Sequence, residues 1–135
     1  MDKKEPLGIR NNNPLNIRKS SQKFVNEQKS DNAFKKFSSL VYGIRAAIRI
    51  IRTYYFNYKL NTISKIIHRW APANENDTAS YISVVSKKAH IMPDTIFIYE
   101  KDNVLDIIKA MAYVECHVEL NKADLEEAWK LAQNV

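Results

Sequence analysis

The chain of 135 residues contains few of the residues that build turn-rich or cross-linked proteins: two glycines, four prolines and one cysteine. Scarce glycine and proline favour helices over a β fold with many turns. The single cysteine, Cys116, excludes an internal disulfide, so stability must come from a hydrophobic core. The sequence has no apolar run of about 18 residues, and we therefore expect no membrane span.

The sequence also lacks a metal-ligand pattern and an apolar leader. Its three histidines, His68, His90 and His117, are far apart and show no ligand spacing. We therefore expect neither a metal ion nor another cofactor. No apolar segment follows the polar residues 1–5, so no signal peptide is predicted. We expect synthesis in the cytoplasm, and a role in the cell wall would require delivery in a virion or release by lysis.

An excess of positive charge points to a polyanionic partner. The chain has 21 Lys and Arg against 15 Asp and Glu, for a net charge of +6. Nucleic acid, an anionic membrane surface and the bacterial cell wall are all polyanionic and would attract such a chain. The length suits one domain, and 45% hydrophobic with 27% charged residues is ordinary for a globular protein. We expect a monomer.

Two periodicities divide the chain. Short apolar and polar alternations at 15–18, 23–25 and 33–37 predict a small β-hairpin or three-stranded flap. From Tyr42 onward apolar residues recur at helical spacing, in five stretches with N-cap residues near 61, 77, 102 and 121 for the last four. The predicted fold is mainly α (α+β), a single domain over 1–135 with a motif loop and β-hairpin at 8–40 and a helical core at 41–135.

One carboxylate falls on the apolar side of the fourth predicted helix. The stripe through Ile108, Met111 and Ala112 continues to Glu115, where the pattern calls for an apolar residue. Burial disfavours the ionised form and raises the pKa of a carboxyl group. A protonated carboxyl in a cleft is the general acid that a glycosidic oxygen needs. The pattern therefore makes Glu115 a candidate catalytic residue.

Other interpretations of these acidic residues stay open. Glu115 could pair with Arg45 or Arg49, or lie in water if the helix ends there. Glu119, one turn later on the same face, competes for the catalytic role. Glu75 is a further acidic candidate, although the residues around it also suit a polar turn followed by a helix N-cap.

Four asparagines surround a predicted turn near the N-terminus. Residues 8–18 are Gly-Ile-Arg-Asn-Asn-Asn-Pro-Leu-Asn-Ile-Arg. Amide side chains donate and accept hydrogen bonds, which suits the N-acetyl groups and hydroxyls of a sugar chain. The simpler interpretation is that the asparagines build the turn.

The segment 8–18 resembles the GIRNNNPGNIR opening of a family of small phage and prophage proteins, which are described as virion structural or lytic-transglycosylase-like proteins. Further stretches that resemble the family are Tyr-Gly-Ile-Arg-Ala at 42–46, residues 52–55 and 60–63, Arg-Trp-Ala-Pro-x-Asn-Glu-Asn-Asp-Thr at 69–78, and residues 81–82 and 85–86. The resemblance is strongest over 8–90. Near the C-terminus, Glu115 takes the place of the glutamate in the family's Ile-Ile-Arg-His-Glu-Asn-Gly stretch.

This resemblance implies a lysozyme-like helical domain that cleaves the glycan strands of peptidoglycan. Glu115 would act as the single general acid and base of a lytic transglycosylase or muramidase. No second carboxylate has an obvious nucleophile position, which favours that mechanism over a paired-carboxylate one. Candidate substrate-binding residues are Asn12, Asn13, Asn16, Tyr54, Glu75 and Tyr81. Trp70 is a further aromatic candidate, although its place on a helix stripe favours the core.

Three departures from the family pattern support a non-catalytic alternative. Leu15 stands where the family has glycine, the hairpin tryptophan and glycine are missing from 20–31, and Cys116-His117 replaces Asn-Gly. The chain could then be a phage structural or cell-wall-binding protein.

A second alternative is a basic helical protein that binds nucleic acid. Arg45, Arg49 and Arg52 form a stripe along one predicted helix that could follow phosphates. A solvated helix face explains the same spacing, and we do not favour nucleic acid as the partner.

Overall fold

The computed structural model describes residues 5–134 and contains, over that range, six α-helices and a two-stranded antiparallel sheet. Their bounds are α1 Leu7–Arg10, β1 Glu27–Gln28, β2 Lys36–Phe37, α2 Leu40–Asn57, α3 Ile63–Trp70, α4 Thr78–Ala89, α5 Lys101–Cys116 and α6 Lys122–Ala132. The prediction of a mainly helical protein with a small β element is confirmed.

The β element is shorter than the alternating pattern predicts. Strands β1 and β2 pair Glu27 with Phe37 and Gln28 with Lys36, and an isolated bridge joins Arg18 to Phe34. We call residues 18–37 the flap. A two-stranded ribbon of this size is marginal by itself in water, so contacts outside its ladder must hold it in place.

Helix α2 carries the first half of the core. Ile44, Ala47, Ile48 and Ile51 lie at helical spacing and are at most 1% exposed. The helical spacing of apolar residues in the sequence continues to Tyr58 and predicts a buried stripe of that length. The prediction is wrong at its end, because the helix stops at Asn57 and Tyr58 is 54% exposed.

Three of the four later helices begin where their capping residues predict. The cap predicted near 102 is wrong, because α5 begins at Lys101 after Glu100, which makes no side-chain cap bond. Side-chain oxygens at three N-caps accept a backbone N–H from the first turn, as predicted from Ser/Thr/Asp/Asn signals. These bonds are Lys65 N–H to Thr62 (3.1 Å), Ser80 N–H to Asp77 (3.2 Å) and Asp124 N–H to Asn121 (2.8 Å). The start of each of these helices is therefore fixed by local sequence.

Two histidines end helices in a backbone conformation that usually belongs to glycine. His90 ends α4 with φ of 57°, and His117 ends α5 with φ of 53°. The left-handed region carries a steric cost for residues with a Cβ atom. The sequence has only two glycines, and neither of them stands at these two helix ends.

Both glycines lie where backbone segments touch. A Cβ atom on Gly43 of α2 would lie 1.8 Å from the carbonyl oxygen of Asn12. A Cβ atom on Gly8 would lie 2.5 Å from Cys116 Sγ and 2.6 Å from Asn16 Oδ1. The motif loop, residues 11–17, is thus pressed against α2 on one side and held near the end of α5 on the other.

The remaining apolar stripes complete one core between α2 and the later helices. Ile63, Ile66 and Ile67 of α3 are fully buried, as predicted, and Ile108 and Met111 of α5 pack into the same cluster. Within residues 5–134, no helix combines the length and apolar content that crossing a bilayer requires.

Candidate functional site

The carboxyl group of Glu115 lies in the last turn of α5, where two other elements reach it. Asn16 of the motif loop donates from Nδ2 to Oε1 over 3.0 Å, and the Tyr81 hydroxyl of α4 donates to Oε2 over 2.9 Å. Each carboxylate oxygen therefore has its own donor. The structure brings together three residues that the sequence singled out separately.

The backbone of the motif loop aims Asn16 at Glu115. Asn16 adopts a left-handed conformation with φ of 52°, which asparagine tolerates better than most residues. The Cys116 thiol lies 3.8 Å from Asn16 Oδ1 and donates to it, which leaves Nδ2 facing the carboxylate. Burial raises the pKa of Cys116 to about 11, so the thiol stays protonated and is a donor at neutral pH.

Tyr81 is a neutral donor to the carboxylate. Its side chain is buried in α4, and burial, followed by the charge and hydrogen bond of Glu115, raises its pKa well above 10. The phenol therefore keeps its proton across the physiological pH range.

The carboxyl group of Glu115 is itself a weaker acid than an exposed glutamate. Burial is the largest influence and raises its pKa above the ordinary value. Polar contacts with Asn16, Tyr81 and Trp70, together with the charge of Arg18, oppose this effect without cancelling it. A raised pKa is the direction predicted for a carboxyl group on the apolar side of the helix, and the structure agrees with it.

A cavity of about 380 Å³ opens in front of Glu115, and we call it the main cavity. The flap, the motif loop, the second half of α2 and the end of α3 all contribute walls. Its polar and aromatic lining includes Asn16, Arg18, Tyr54, Trp70 and Glu75. Such a mixture of aromatic faces and converging polar groups is typical of a binding cleft.

A second cavity of about 280 Å³ adjoins the first, and we call it the side cavity. Ser80 and Tyr81 of α4 form part of its lining, and Glu115 and Asn76 line both cavities. Glu115 therefore contributes to the lining of two neighbouring cavities. Sequence reasoning did not select Asn76, although it lies within the 69–78 stretch that resembles the phage family.

The main cavity is lined by two partly exposed aromatic residues that contact each other. Tyr54 and Trp70 pack edge to face, with ring centroids 6.3 Å apart, and the Arg69 guanidinium lies 5.6 Å from the Tyr54 ring centre. Trp70 was expected to belong to the core. It packs against the core as a partly exposed residue and also lines the cavity.

Asn12 and Asn13 hold the motif loop together and do not line either cavity as the structure describes it. Asn13 is fully buried, donates to the carbonyls of Ile17 and Lys35, and accepts from the Ile17 amide, each over 2.9 Å. Asn12 donates to the Phe37 carbonyl over 3.0 Å. Their placement fits the interpretation that these asparagines build the turn.

The two alternative acids have different surroundings. Glu75 is exposed and lines the main cavity, so it shares that space with Glu115. The side chain of Glu119 is 61% exposed and forms an ion pair with Lys88 at 3.6 Å, outside both cavities as described.

The suggested pairing of Glu115 with Arg45 or Arg49 is wrong, because both arginines bind the end of α6. Arg45 donates to the carbonyls of Leu131 and Asn134 over 3.2 Å each, and Arg49 donates to that of Ala132 over 2.9 Å. The last carbonyls of a helix have no partner within the helix, which explains this placement.

Because two of the three arginines of α2 bind the end of α6, the stripe is not a uniformly solvated helix face. Arg45 is 7% exposed, so it is the least accessible to a partner of the three arginines in the stripe that could follow phosphates. The partners lie more than 80 residues away in the sequence, and no local pattern points to them.

The residues described so far define a small, mainly helical protein with one partly buried carboxyl group in a polar and aromatic cleft. No family model matches the chain. The chain is similar to Protein P5 of Pseudoalteromonas phage PM2, with 47% identity over 89 residues, which cover 62% of this chain and 56% of that protein. The match thus spans little more than half of the phage protein. It supports the relationship to phage proteins that the motif indicates, while the lysozyme-like family stays a prediction.

Proposed function

We propose that this chain cleaves the glycan strands of peptidoglycan, with Glu115 as its general acid and base. The observation that carries the proposal is Glu115, which lines two neighbouring cavities and whose carboxyl group has a raised pKa. A carboxyl that keeps its proton closer to neutral pH is suited to protonating a leaving oxygen.

One carboxyl group is enough for a lytic transglycosylase reaction. Glu115 gives its proton to the glycosidic oxygen as the bond from that oxygen to the sugar C1 breaks. A hydroxyl of the same muramyl residue then attacks C1, and its proton passes to Glu115. The acid is restored, and the product is an anhydromuramyl end.

Hydrolysis is the competing outcome within the same site. Glu75 also lines the main cavity and would serve a two-carboxylate mechanism, in which water completes the reaction and a reducing muramic end is formed. The chemistry of the new end therefore distinguishes the roles of the two acids.

The rest of the cavity suits an anionic glycan. Tyr54 and Trp70 offer aromatic surface for sugar rings, and Arg18 offers a positive charge beside the carboxyl group. The net charge of +6 favours approach to an anionic cell wall. A chain that acts there would be carried by a virion or released at lysis.

Digestion of purified sacculi by Glu115→Gln tests the proposal. Gln keeps the size and accepting oxygen of the side chain but cannot transfer the proton, so we expect loss of cleavage of about 100-fold or more. Mass analysis of the wild-type products should show anhydromuramyl ends. Glu119→Gln is the matched control, because it removes an exposed acid three residues after the end of α5. Undiminished digestion by the Glu115 variant would contradict the assignment.

The second candidate is a non-catalytic phage protein that is structural or binds the cell wall. The similarity to Protein P5 of phage PM2 favours it, and supports it more directly than it supports cleavage. The departures at Leu15 and at 116–117 point the same way. In this case wild type and Glu115→Gln would sediment equally with sacculi, and neither would release soluble fragments.

A further inference from the structure

Lys35 is a buried cation inside the flap, where a short ribbon has little hydrophobic core. Its side chain is 0% exposed, and that of its partner Glu27 is 7% exposed. Lys35 Nζ lies 3.1 Å from both carboxylate oxygens of Glu27. Burying such a pair costs desolvation free energy, so it is weak evidence for stability and better evidence for a fixed arrangement.

The ion pair is bonded to the backbone of the cavity wall. Lys35 Nζ donates to the Gln22 carbonyl over 2.7 Å and approaches the Ser20 carbonyl at 3.5 Å. Glu27 Oε1 accepts the backbone N–H of Phe24 over 3.2 Å. Ser20, Gln22 and Phe24 are the residues of the 20–24 segment that line the main cavity.

The same lysine is also joined to the motif loop. Its backbone carbonyl accepts from Asn13, and its backbone amide donates to Ile17, each over 2.9 Å. The motif loop carries Asn16, which contacts Glu115. One residue therefore connects the outer wall of the cavity to the loop that holds the carboxyl group.

We propose that the buried pair Lys35–Glu27 is a positioning device that holds segment 20–24 as the outer wall of the main cavity. Lys35 is thus a positioning residue for glycan binding, and this consequence rests on the proposed function. The pair fixes where the substrate lies and leaves the proton chemistry of Glu115 unchanged.

Lys35→Met tests this directly, because methionine keeps most of the length and removes the ammonium group. Lys36→Met is the matched control, since Lys36 is the neighbouring residue of β2 and is exposed. Amide hydrogen exchange at Phe24 and Glu27 should speed up by about tenfold or more in Lys35→Met, with the α2 amide of Ile48 unchanged. The Lys36 variant should resemble wild type at all three amides.

Glu27→Gln is the second variant, because it keeps an oxygen for the Phe24 amide and removes the charge. We expect the same direction of change as for Lys35→Met, with a smaller amplitude. Unchanged exchange at Phe24 and Glu27 in a folded Lys35 variant would overturn the proposal. Loss of protection throughout α2 in both variants would also overturn it, because the pair would then support the whole fold.

The effect of the Lys35–Glu27 pair on glycan binding is measured on purified sacculi. Lys35→Met should raise KM, or weaken binding in a Glu115→Gln background, by roughly tenfold, with kcat and its pH dependence retained. A fall in kcat alone, or unchanged binding, would contradict the positioning role. If wild type neither cleaves nor binds sacculi, the proposed function fails, and the exchange experiment alone decides whether the pair orders the wall.

Discussion

At the scale of single residues, Glu115 is subject to two opposing influences. Burial favours its neutral form, whereas the donors Asn16 and Tyr81 favour its ionised form. Burial has the larger effect, so the folded protein holds this proton more tightly than the unfolded chain does. A group of this kind contributes stability below its unfolded pKa and loses that contribution as pH rises through the folded value.

Glu115→Gln should therefore gain stability relative to wild type as pH rises. The wild type loses stability from this group as the carboxyl ionises, and glutamine has no proton to lose. We expect the free energy of unfolding of the variant minus that of wild type to increase as pH rises above the ordinary pKa of glutamate, measured by urea denaturation. Glu119→Gln controls for the removal of one negative charge, and a difference that shrinks with pH would contradict the pKa direction.

The sequence predicted part of this site because periodicity and loop chemistry are local signals. The stripe in α5 pointed to Glu115, and the asparagine-rich segment pointed to Asn16. The sequence pattern could not show that Asn16 contacts the carboxyl group and Asn13 does not. The two side-chain amides differ in their hydrogen-bond partners, the Glu115 carboxylate and the Lys35 carbonyl, and both partners are distant in the sequence. Tyr81 was expected as a sugar-binding residue, whereas in the structure its hydroxyl is bonded to the carboxyl group.

At the scale of elements, helix ends are the best-explained features of the chain. N-caps were readable from the sequence because their partners lie within three residues. The β element was predicted less well. It contains the buried Lys35–Glu27 pair, and an alternating pattern does not reveal a buried lysine.

His117→Gly should stabilise the C-terminal end of α5. The left-handed backbone costs a residue with a Cβ atom about 1–2 kcal/mol, and glycine avoids that cost, with part of the gain offset by its freedom in the unfolded chain. We expect a rise in the free energy of unfolding of about 1 kcal/mol by denaturant titration. His68→Gly, inside α3, is the opposite control and should destabilise by about 1 kcal/mol.

Arg45→Met should destabilise the contact between α2 and α6. The change leaves the carbonyls of Leu131 and Asn134 without their donor, at a cost of about 1–3 kcal/mol. Arg52→Met, on an exposed position of the same helix, should stay within about 0.5 kcal/mol of wild type. Thermal unfolding followed by circular dichroism measures both, and equal losses would show that the α6 carbonyls do not need Arg45.

At the scale of the whole molecule, the site depends on how distant segments pack. Neither the approach of the motif loop to α2 nor the arginine contacts with α6 leaves a local pattern, because the partners lie far apart in the sequence. The two glycines are the exception. A residue type so scarce in this chain marks two places where backbones touch.

Gly43→Ala should reverse the usual effect of this substitution in a helix. Alanine normally stabilises a helix interior by about 0.5–1 kcal/mol relative to glycine. Here the added Cβ atom would meet the Asn12 carbonyl at 1.8 Å, so the motif loop must move. We expect a loss of about 1–3 kcal/mol by urea denaturation, together with weaker protection of the Asn16 amide. A more stable variant would show that the loop yields without strain.

The contact between Asn16 and Glu115 joins residues that are 99 positions apart. On a ribosome that adds about 5–20 residues per second, the amide emerges roughly 5–20 s before the carboxyl group it serves. During that interval the side-chain amide of Asn16 lacks its Glu115 acceptor, and Gly8 lacks its contact with Cys116. The cleft is thus assembled only after the segment that carries Glu115 has been synthesised, however early the motif loop emerges.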